Sequence, residues 1–153
     1  MIAIGSDHAG FRLKEKIKDF LKKREVEFYD FGPENEDSVD YPDFGEKVAK
    51  AVSQGKAERG ILICGSGLGM TIVANKFKGV RATLCHDEYT AKMSRAHNDS
   101  NLLTLGARVL DEEMALKIVE IWLDTPFEGG RHLRRLNKIK EIEDKNFIEG
   151  VSK

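Results

Sequence analysis

Five short apolar runs, each followed by a longer stretch of mixed character, constrain this chain more than any other feature of its sequence. The runs are Ile2–Gly5, Glu27–Phe31, Arg59–Cys64, Val80–Cys85 and Leu102–Gly106. Runs of this length, apolar almost throughout, suit strands buried on both faces, as a parallel sheet requires. The stretches between them carry helical periodicity. Leu13, Ile17, Phe20 and Leu21 fall on one face, with Arg12, Glu15, Asp19, Lys22 and Lys23 on the other. Met70, Val73, Ala74 and Phe77 repeat the spacing, and so do Ala115, Ile118, Val119 and Trp122. The last of these follows Asp111-Glu112-Glu113, an acidic opening that suits a helix N-terminus with Asp111 as its cap. Strand–helix alternation through five rounds predicts an α/β fold around a parallel sheet.

Two segments depart from this rhythm. Gly32–Asp43 is an acidic stretch with two prolines, expected to be a loop. After Thr125-Pro126, a final helix carries Leu133, Leu136, Ile139 and Ile142 at intervals of three. It comes after the sheet is complete, so a second subunit is a natural place to bury its apolar ridge.

The chain has 153 residues, the size of one domain, and residues 1–153 are read as one. Its 25 Lys and Arg against 26 Asp and Glu leave a net charge of -1. Nucleic-acid binding normally draws on a basic surplus, which is absent here. No apolar run approaches a membrane span, and Met1–Ile4 stops at Gly5-Ser6-Asp7, too soon for a signal peptide. Two cysteines, Cys64 and Cys85, make neither a disulfide framework nor a zinc pattern. A cytoplasmic protein is expected, with no nucleic-acid or membrane partner.

Ligands of open parallel sheets bind outside the carboxyl ends of the strands. Those ends read Ser6-Asp7-His8, Cys64-Gly65-Ser66-Gly67-Leu68-Gly69, Cys85-His86-Asp87 and Gly106-Ala107-Arg108, while His97-Asn98-Asp99 lies just before the fifth strand. Three of the four histidines and both cysteines are therefore expected at or near one edge. Gly65, Gly67 and Gly69 alternate between a strand and a helix, where backbone N–H groups can converge on an anion. The spacing fits neither a dinucleotide fingerprint nor a P-loop, since Met70 stands where the lysine would be.

Cys64 precedes that loop. A buried structural thiol is the usual fate of such a cysteine, but a helix N-terminus beside it favours a thiolate. A base next to an oxyanion site is an arrangement for abstracting a proton. Cys85 has no such loop and is read as core. Arg131 and Arg135, four apart on the last helix, share a face suited to a phosphate, although basic helix faces are also common on plain surfaces; Arg134 points about 100° away. Asp7-His8 and His97-Asn98 are ambiguous singly. The histidines and cysteines of this edge lack the carboxylate–imidazole grouping of a catalytic metal site, so neither metal nor cofactor is expected.

Taken together these residues resemble the type B ribose-5-phosphate isomerase family, which also includes allose- and galactose-6-phosphate isomerases. The matching stretches are Gly5–Gly10, Asp40-Tyr41-Pro42, Ile63–Gly69, Ala74-Asn75-Lys76, His97-Asn98-Asp99, Gly106-Ala107-Arg108 and Glu128–His132, in order along nearly the whole chain. The resemblance implies a Rossmann-like, three-layer α/β/α sandwich with a five-stranded parallel sheet and an added C-terminal helix. It implies a homodimer, or a dimer of dimers, with sites between subunits and Cys64 and His97 from different chains. The implied reaction interconverts ribose 5-phosphate and ribulose 5-phosphate through an enediolate without a metal.

By the same resemblance, Cys64 is the base, and Gly65, Ser66, Gly67, Leu68 and Gly69 form the anion hole. His97 opens the furanose ring, Asp7 and Asn98 contact the sugar, and His8, Arg108, Arg131 and Arg135 hold the substrate and its phosphate. One branch of the family places a glutamate base where this chain has Met70, which leaves the role to Cys64. Alternative readings are an allose-6-phosphate or other hexose-phosphate isomerase, and a non-catalytic sugar-phosphate-binding module. A thiol-redox protein is disfavoured because no C-x-x-C motif is present.

Overall fold

The computed structural model describes residues 1–147. Five strands, β1 (Ile2–Ser6), β2 (Phe28–Asp30), β3 (Arg59–Cys64), β4 (Ala82–Leu84) and β5 (Leu102–Gly106), form one parallel sheet in the order β2-β1-β3-β5-β4. β3 and β5 have the limits their apolar runs predict. The two edge strands are shorter than expected, three residues each, and half-exposed, because an edge needs no apolar residues on its open side.

Side chains alternate across the central strands and divide the core in two. Ile2, Ile4, Ile61, Ile63, Leu103 and Leu105 face α1 (Phe11–Lys23), α4 (Glu88–Ala96) and α5 (Glu112–Asp124). Ala3, Leu62, Cys64 and Leu102 face α2 (Tyr41–Ser53) and α3 (Leu68–Ala74). The result is the expected three-layer sandwich. Burying Ile17, Leu21, Ile118, Val119 and Trp122 stabilises the first face by about 1.5–3 kcal/mol per large side chain. Asp111 caps α5 as expected, its carboxylate accepting the Met114 N–H at 2.7 Å.

Two expectations need correction. The acidic loop ends at Asp40, not Asp43: Pro42 sits in the first turn of α2, where a missing N–H costs nothing, so the helix starts at Tyr41. α3 stops at Ala74, leaving Phe77 in the following turn, although its ring still packs on the second core.

The last helix, α6 (Arg131–Asn146), lies beyond the sandwich. Its Glu143 accepts the Gly79 N–H at 2.9 Å, at the edge where strands begin. Leu133, Ile139 and Ile142 are each about half exposed or more, so this chain alone does not bury the ridge. No helix among the described residues is long and apolar enough to cross a membrane.

Candidate active site

In this strand order the chain turns one way from β1 to β2 and the other way to β3. The crevice of a doubly wound sheet opens at that reversal, beyond the carboxyl ends of β1 and β3. Asp7 and Cys64 stand on its two sides.

Asp7 is nearly buried. Its N–H donates to the Ile63 carbonyl at 3.1 Å and its Oδ1 accepts the Gly10 N–H at 2.9 Å, so a tight turn is clamped onto the end of β3. Only glycine fits at position 10, since a Cβ there would lie 2.5 Å from the Ile63 oxygen. His8 follows on the rim, its Nδ1 accepting the Val39 N–H at 3.1 Å. That bond puts the proton of a neutral ring on Nε2, leaving it as a donor, and ties the acidic loop to the residue after Asp7.

Cys64 is 4% exposed, and its Sγ accepts the Gly67 N–H at 3.2 Å. That hydrogen bond fixes the sulfur at the turn that opens α3, at the mouth of the crevice. Gly67 has φ +81, the left-handed conformation that glycine adopts freely, and a Cβ would run into Leu84 and the β5 backbone. The turn therefore packs tightly enough to bring its N–H onto the sulfur. Ser66 Oγ accepts the Leu68 N–H at 3.2 Å, while Gly69 and Met70, in the first turn of α3, have no intrahelical acceptor for their N–H groups. Arg108 closes the loop from the side: its N–H donates to the Gly65 carbonyl at 2.9 Å, and its guanidinium lies so near Gly65 that a Cβ would stand 3.2 Å from Nη1. Tyr41, at the start of α2, packs its ring against Gly69, where any Cβ would collide with it. Met70 is fully buried in the second core.

Cys85 is 1% exposed in the first core, as its reading as a packing residue requires. Burial pushes its thiol upward, outweighing hydrogen bonds with Ser94 and Thr83.

His97 and Asn98 are not at this edge, contrary to expectation. They follow α4 and precede β5, so they sit where strands begin. Gly60 N–H donates to the Asn101 carbonyl at 2.9 Å there, and Arg81 Nε donates to the Asp99 carbonyl at 3.0 Å. In the β3–β5 register Gly60 pairs with Leu102 and Cys64 with Gly106, which puts about 13 Å of strand between the two edges. Lying close to a strand in sequence is not enough; residues before and after a strand belong to opposite ends of it.

The same lower edge collects Arg131 and Arg135. α5 runs back from the upper edge, and the Glu128 N–H donates to the Ala96 carbonyl at 3.0 Å, so α6 starts beside His97. The His97 ring stacks on that of His132, with centroids 4.0 Å apart and planes 14° from parallel. Arg131, Arg134 and Arg135 are exposed and, among the described residues, enter no ion pair. Removal from water lowers the His132 pKa, and interaction with His97 and Arg131 lowers it further, against the carboxylate of Glu128. One grouping goes against the expectation that carboxylate and imidazole do not meet: His97, Glu128 and His132 present ligand atoms within 4.8 Å of one another.

The candidate residues thus form two sets. Asp7, His8, Cys64, the glycine loop and Arg108 share the upper edge; His97, Asn98, Arg131 and Arg135 share the lower. Tyr41, Glu128 and His132 were not singled out for a role from sequence. Tyr41 and the Glu128–His132 stretch do lie within the motifs that carry the family resemblance, which is the signal that could have found them.

Comparison with known proteins places this parallel α/β sandwich among the sugar-phosphate isomerases. More narrowly, the chain belongs to the Ribose/Galactose Isomerase family, whose profile matches residues 2–139. The ribose-5-phosphate isomerase B of Escherichia coli (strain K12) is 47% identical, over 94% of this chain and 97% of that protein. A D-erythrulose-4-phosphate isomerase of Pectobacterium atrosepticum is 45% identical over 93% and 94%. The solved structure of Clostridium thermocellum ribose-5-phosphate isomerase B superposes with a TM-score of 0.93 at 57% identity, covering 95% of this chain and 99% of that one.

Proposed function

We propose that the chain interconverts ribose 5-phosphate and ribulose 5-phosphate, with Cys64 moving a proton between C2 and C1. The carrying observation is the buried Cys64 sulfur held by the Gly67 N–H at the mouth of the switch-point crevice. In the aldose-to-ketose direction the thiolate takes the C2 proton and an enediolate forms. The proton of the C2 hydroxyl passes to O1, and the thiol returns its proton to C1. A bare thiolate is too weak a base for that carbon, so charge on the enediolate oxygens must be stabilised as it develops. Oxyanion-hole donors contribute about 2.7–4 kcal/mol each, and the first-turn N–H groups of the glycine loop, with the Ser66 hydroxyl, are the donors available. Asp7 and Asn98 orient the sugar hydroxyls. His8, Arg108, Arg131 and Arg135 hold the phosphate end, and His97 moves the proton that opens the furanose ring.

The two sets of residues cannot serve one sugar within a single chain, because the length of the strands, about 13 Å, separates them. A homodimer resolves this: the lower edge of one copy faces the upper edge of the other, each site taking Cys64 from one chain and His97, Arg131 and Arg135 from its partner. The half-exposed ridge of Leu133, Ile139 and Ile142 supports the same assembly, since it needs a cover.

The test is turnover of ribose 5-phosphate by the purified protein, set against allose 6-phosphate and erythrulose 4-phosphate. Ribose 5-phosphate is expected to give the highest kcat/KM. A higher value for either of the others would move the substrate assignment within the family, and no turnover of any would overturn the catalytic reading in favour of a binding module.

A further inference from the structure

The lower edge contains a polar atom that the isomerase reading leaves unexplained. The His132 side chain is 7% exposed, and its Nε2 is fully buried without a hydrogen-bond partner. A buried imidazole nitrogen without a partner is costly, so a fold that keeps this ring in place has a use for it. What the ring touches is His97: the two imidazoles stack face to face, centroids 4.0 Å apart and planes 14° from parallel. Their in-plane lone pairs do not converge on one point, so the cluster is not a metal centre. It is a support for one flat side chain.

Local backbone structure makes that support rigid. The His97 N–H donates to the Met93 carbonyl at 2.9 Å, at the end of α4, and the Glu128 N–H donates to the Ala96 carbonyl at 3.0 Å. Gly129 and Gly130, with φ of +69 and +56, then turn the chain into α6 and bring His132 onto the His97 ring. The same turn places Glu128 beside both rings. Its Oε2 lies 3.9 Å from His97 Nε2 and 3.7 Å from His132 Nε2, each too long for a hydrogen bond. Glu128 is half exposed, so a small rotation of its side chain brings that oxygen within bonding distance of either nitrogen. A carboxylate there favours a proton on His97 Nε2 and leaves Nδ1 with the lone pair, as in other carboxylate–histidine pairs. His132 does not compete for the proton. Removal from water lowers its pKa, and interaction with His97, Arg131 and Arg135 adds to this, against Glu128.

Ring opening makes orientation matter. The bond between C1 and the ring oxygen breaks while the anomeric hydroxyl loses a proton and the ring oxygen gains one. A single group that carries this proton must therefore face two oxygens on one carbon. We propose that His132 and Glu128 are positioning residues for this step: the stacked His132 ring fixes the plane of His97, and Glu128 selects which of its nitrogens carries the proton. The inference rests on the assignment of ring opening to His97.

The test separates positioning from folding and from phosphate binding. Ribulose 5-phosphate has its C5 oxygen esterified and cannot close a furanose ring, so exchange of its C1 proton with D2O requires Cys64 but no ring opening. His132→Ala should lower kcat for ribose 5-phosphate by up to about 100-fold, the cost of a misplacement of about 1 Å, with KM and C1 exchange near their wild-type values. His132→Phe, which keeps a flat uncharged ring, should restore most of the loss. By NMR, the His97 Cε1–H should lose its upfield ring-current shift in His132→Ala and regain it in His132→Phe. Glu128→Gln, on the exposed rim, should show the same pattern in smaller measure, and it repeats the test should His132→Ala disturb folding. Unchanged kcat in both His132→Ala and Glu128→Gln overturns the proposal. So does a parallel loss of turnover and C1 exchange, which would make both residues structural only. Wild-type protein that neither isomerises ribose 5-phosphate nor exchanges the C1 proton refutes the proposed function itself, and the positioning roles fall with it.

Discussion

The upper and lower edges of the sheet are both rich in functional groups, but they are built differently. At the upper edge the groups are held by backbone. Asp7 is tied to Gly10 and Ile63, Cys64 to Gly67, and Arg108 to Gly65, and glycines 10, 67 and 69 stand where any larger residue would collide. At the lower edge the arginines of α6 project from an exposed helix, without ion-pair partners among the described residues. The difference matches what each edge is proposed to do. Proton transfer from carbon tolerates little positional error. Phosphate binding draws on charge, and long guanidinium side chains can adjust to the anion they meet.

Substitutions at the two edges should therefore differ in kind. The largest effect is expected from Cys64→Ala, which should remove turnover while leaving substrate affinity nearly intact; a mutant kcat of even a tenth of the wild-type value would end the assignment of Cys64 as base. Combining that variant with His97→Ala sharpens the comparison. If each site spans two chains, a mixed dimer has one site with both residues intact and one with neither. Equal mixing with free exchange should restore about a quarter of wild-type activity from two nearly inactive parents. No recovery after verified exchange would place His97 within its own chain's site, or outside the reaction.

Next come the arginines. Arg131→Ala or Arg135→Ala should mainly raise KM, by an amount that depends on how far the pair is shielded from water when substrate binds. The loss is about 1.5–3 kcal/mol for a charged hydrogen bond kept from water, and under about 1 kcal/mol for an exposed one. Equal effects on turnover of ribose and ribose 5-phosphate would show that these arginines do not hold the phosphate.

The smallest effect concerns stability. His132 has a lowered pKa in the folded chain because burial, helped by His97 and Arg131, disfavours its charged form. Below its ordinary value of 6.5 the unfolded chain takes the proton first, so stability should fall with pH from there down to the lowered folded pKa. His132→Gln should flatten that part of the denaturation-midpoint profile. An unchanged slope would show that His132 titrates alike in both states.

What the sequence revealed follows the same division. The limits of β3 and β5 could be read from Arg59–Cys64 and Leu102–Gly106 because central strands are apolar on both faces. Val80–Cys85 overstated β4, since apolar residues beside an edge strand can enter the core from a turn, as Val80 does. Strand-end reasoning found Asp7, Cys64 and the glycine loop because those residues directly follow their strands. It misplaced His97, whose position depends on the direction in which α4 crosses the sheet. Periodicity could not point to Tyr41, although its motif could: its contact with Gly69 joins the start of one helix to the start of another. The meeting of His132 with His97 depends on the stacking of two rings from different elements, which spacing along the chain does not show.

The separation of the two edges also has a consequence for how activity depends on amount. A site assembled from both edges, as proposed, would exist only in the associated protein, so in dilute solution the number of complete sites would grow as the square of the chain concentration rather than in proportion to it. Specific activity would then fall as the protein is diluted through its dissociation constant. Substrate bridging the two chains would oppose that fall, because any ligand that touches both halves binds the dimer in preference to the monomer. The sugar phosphate would be, in thermodynamic terms, part of the glue that holds its own catalyst together.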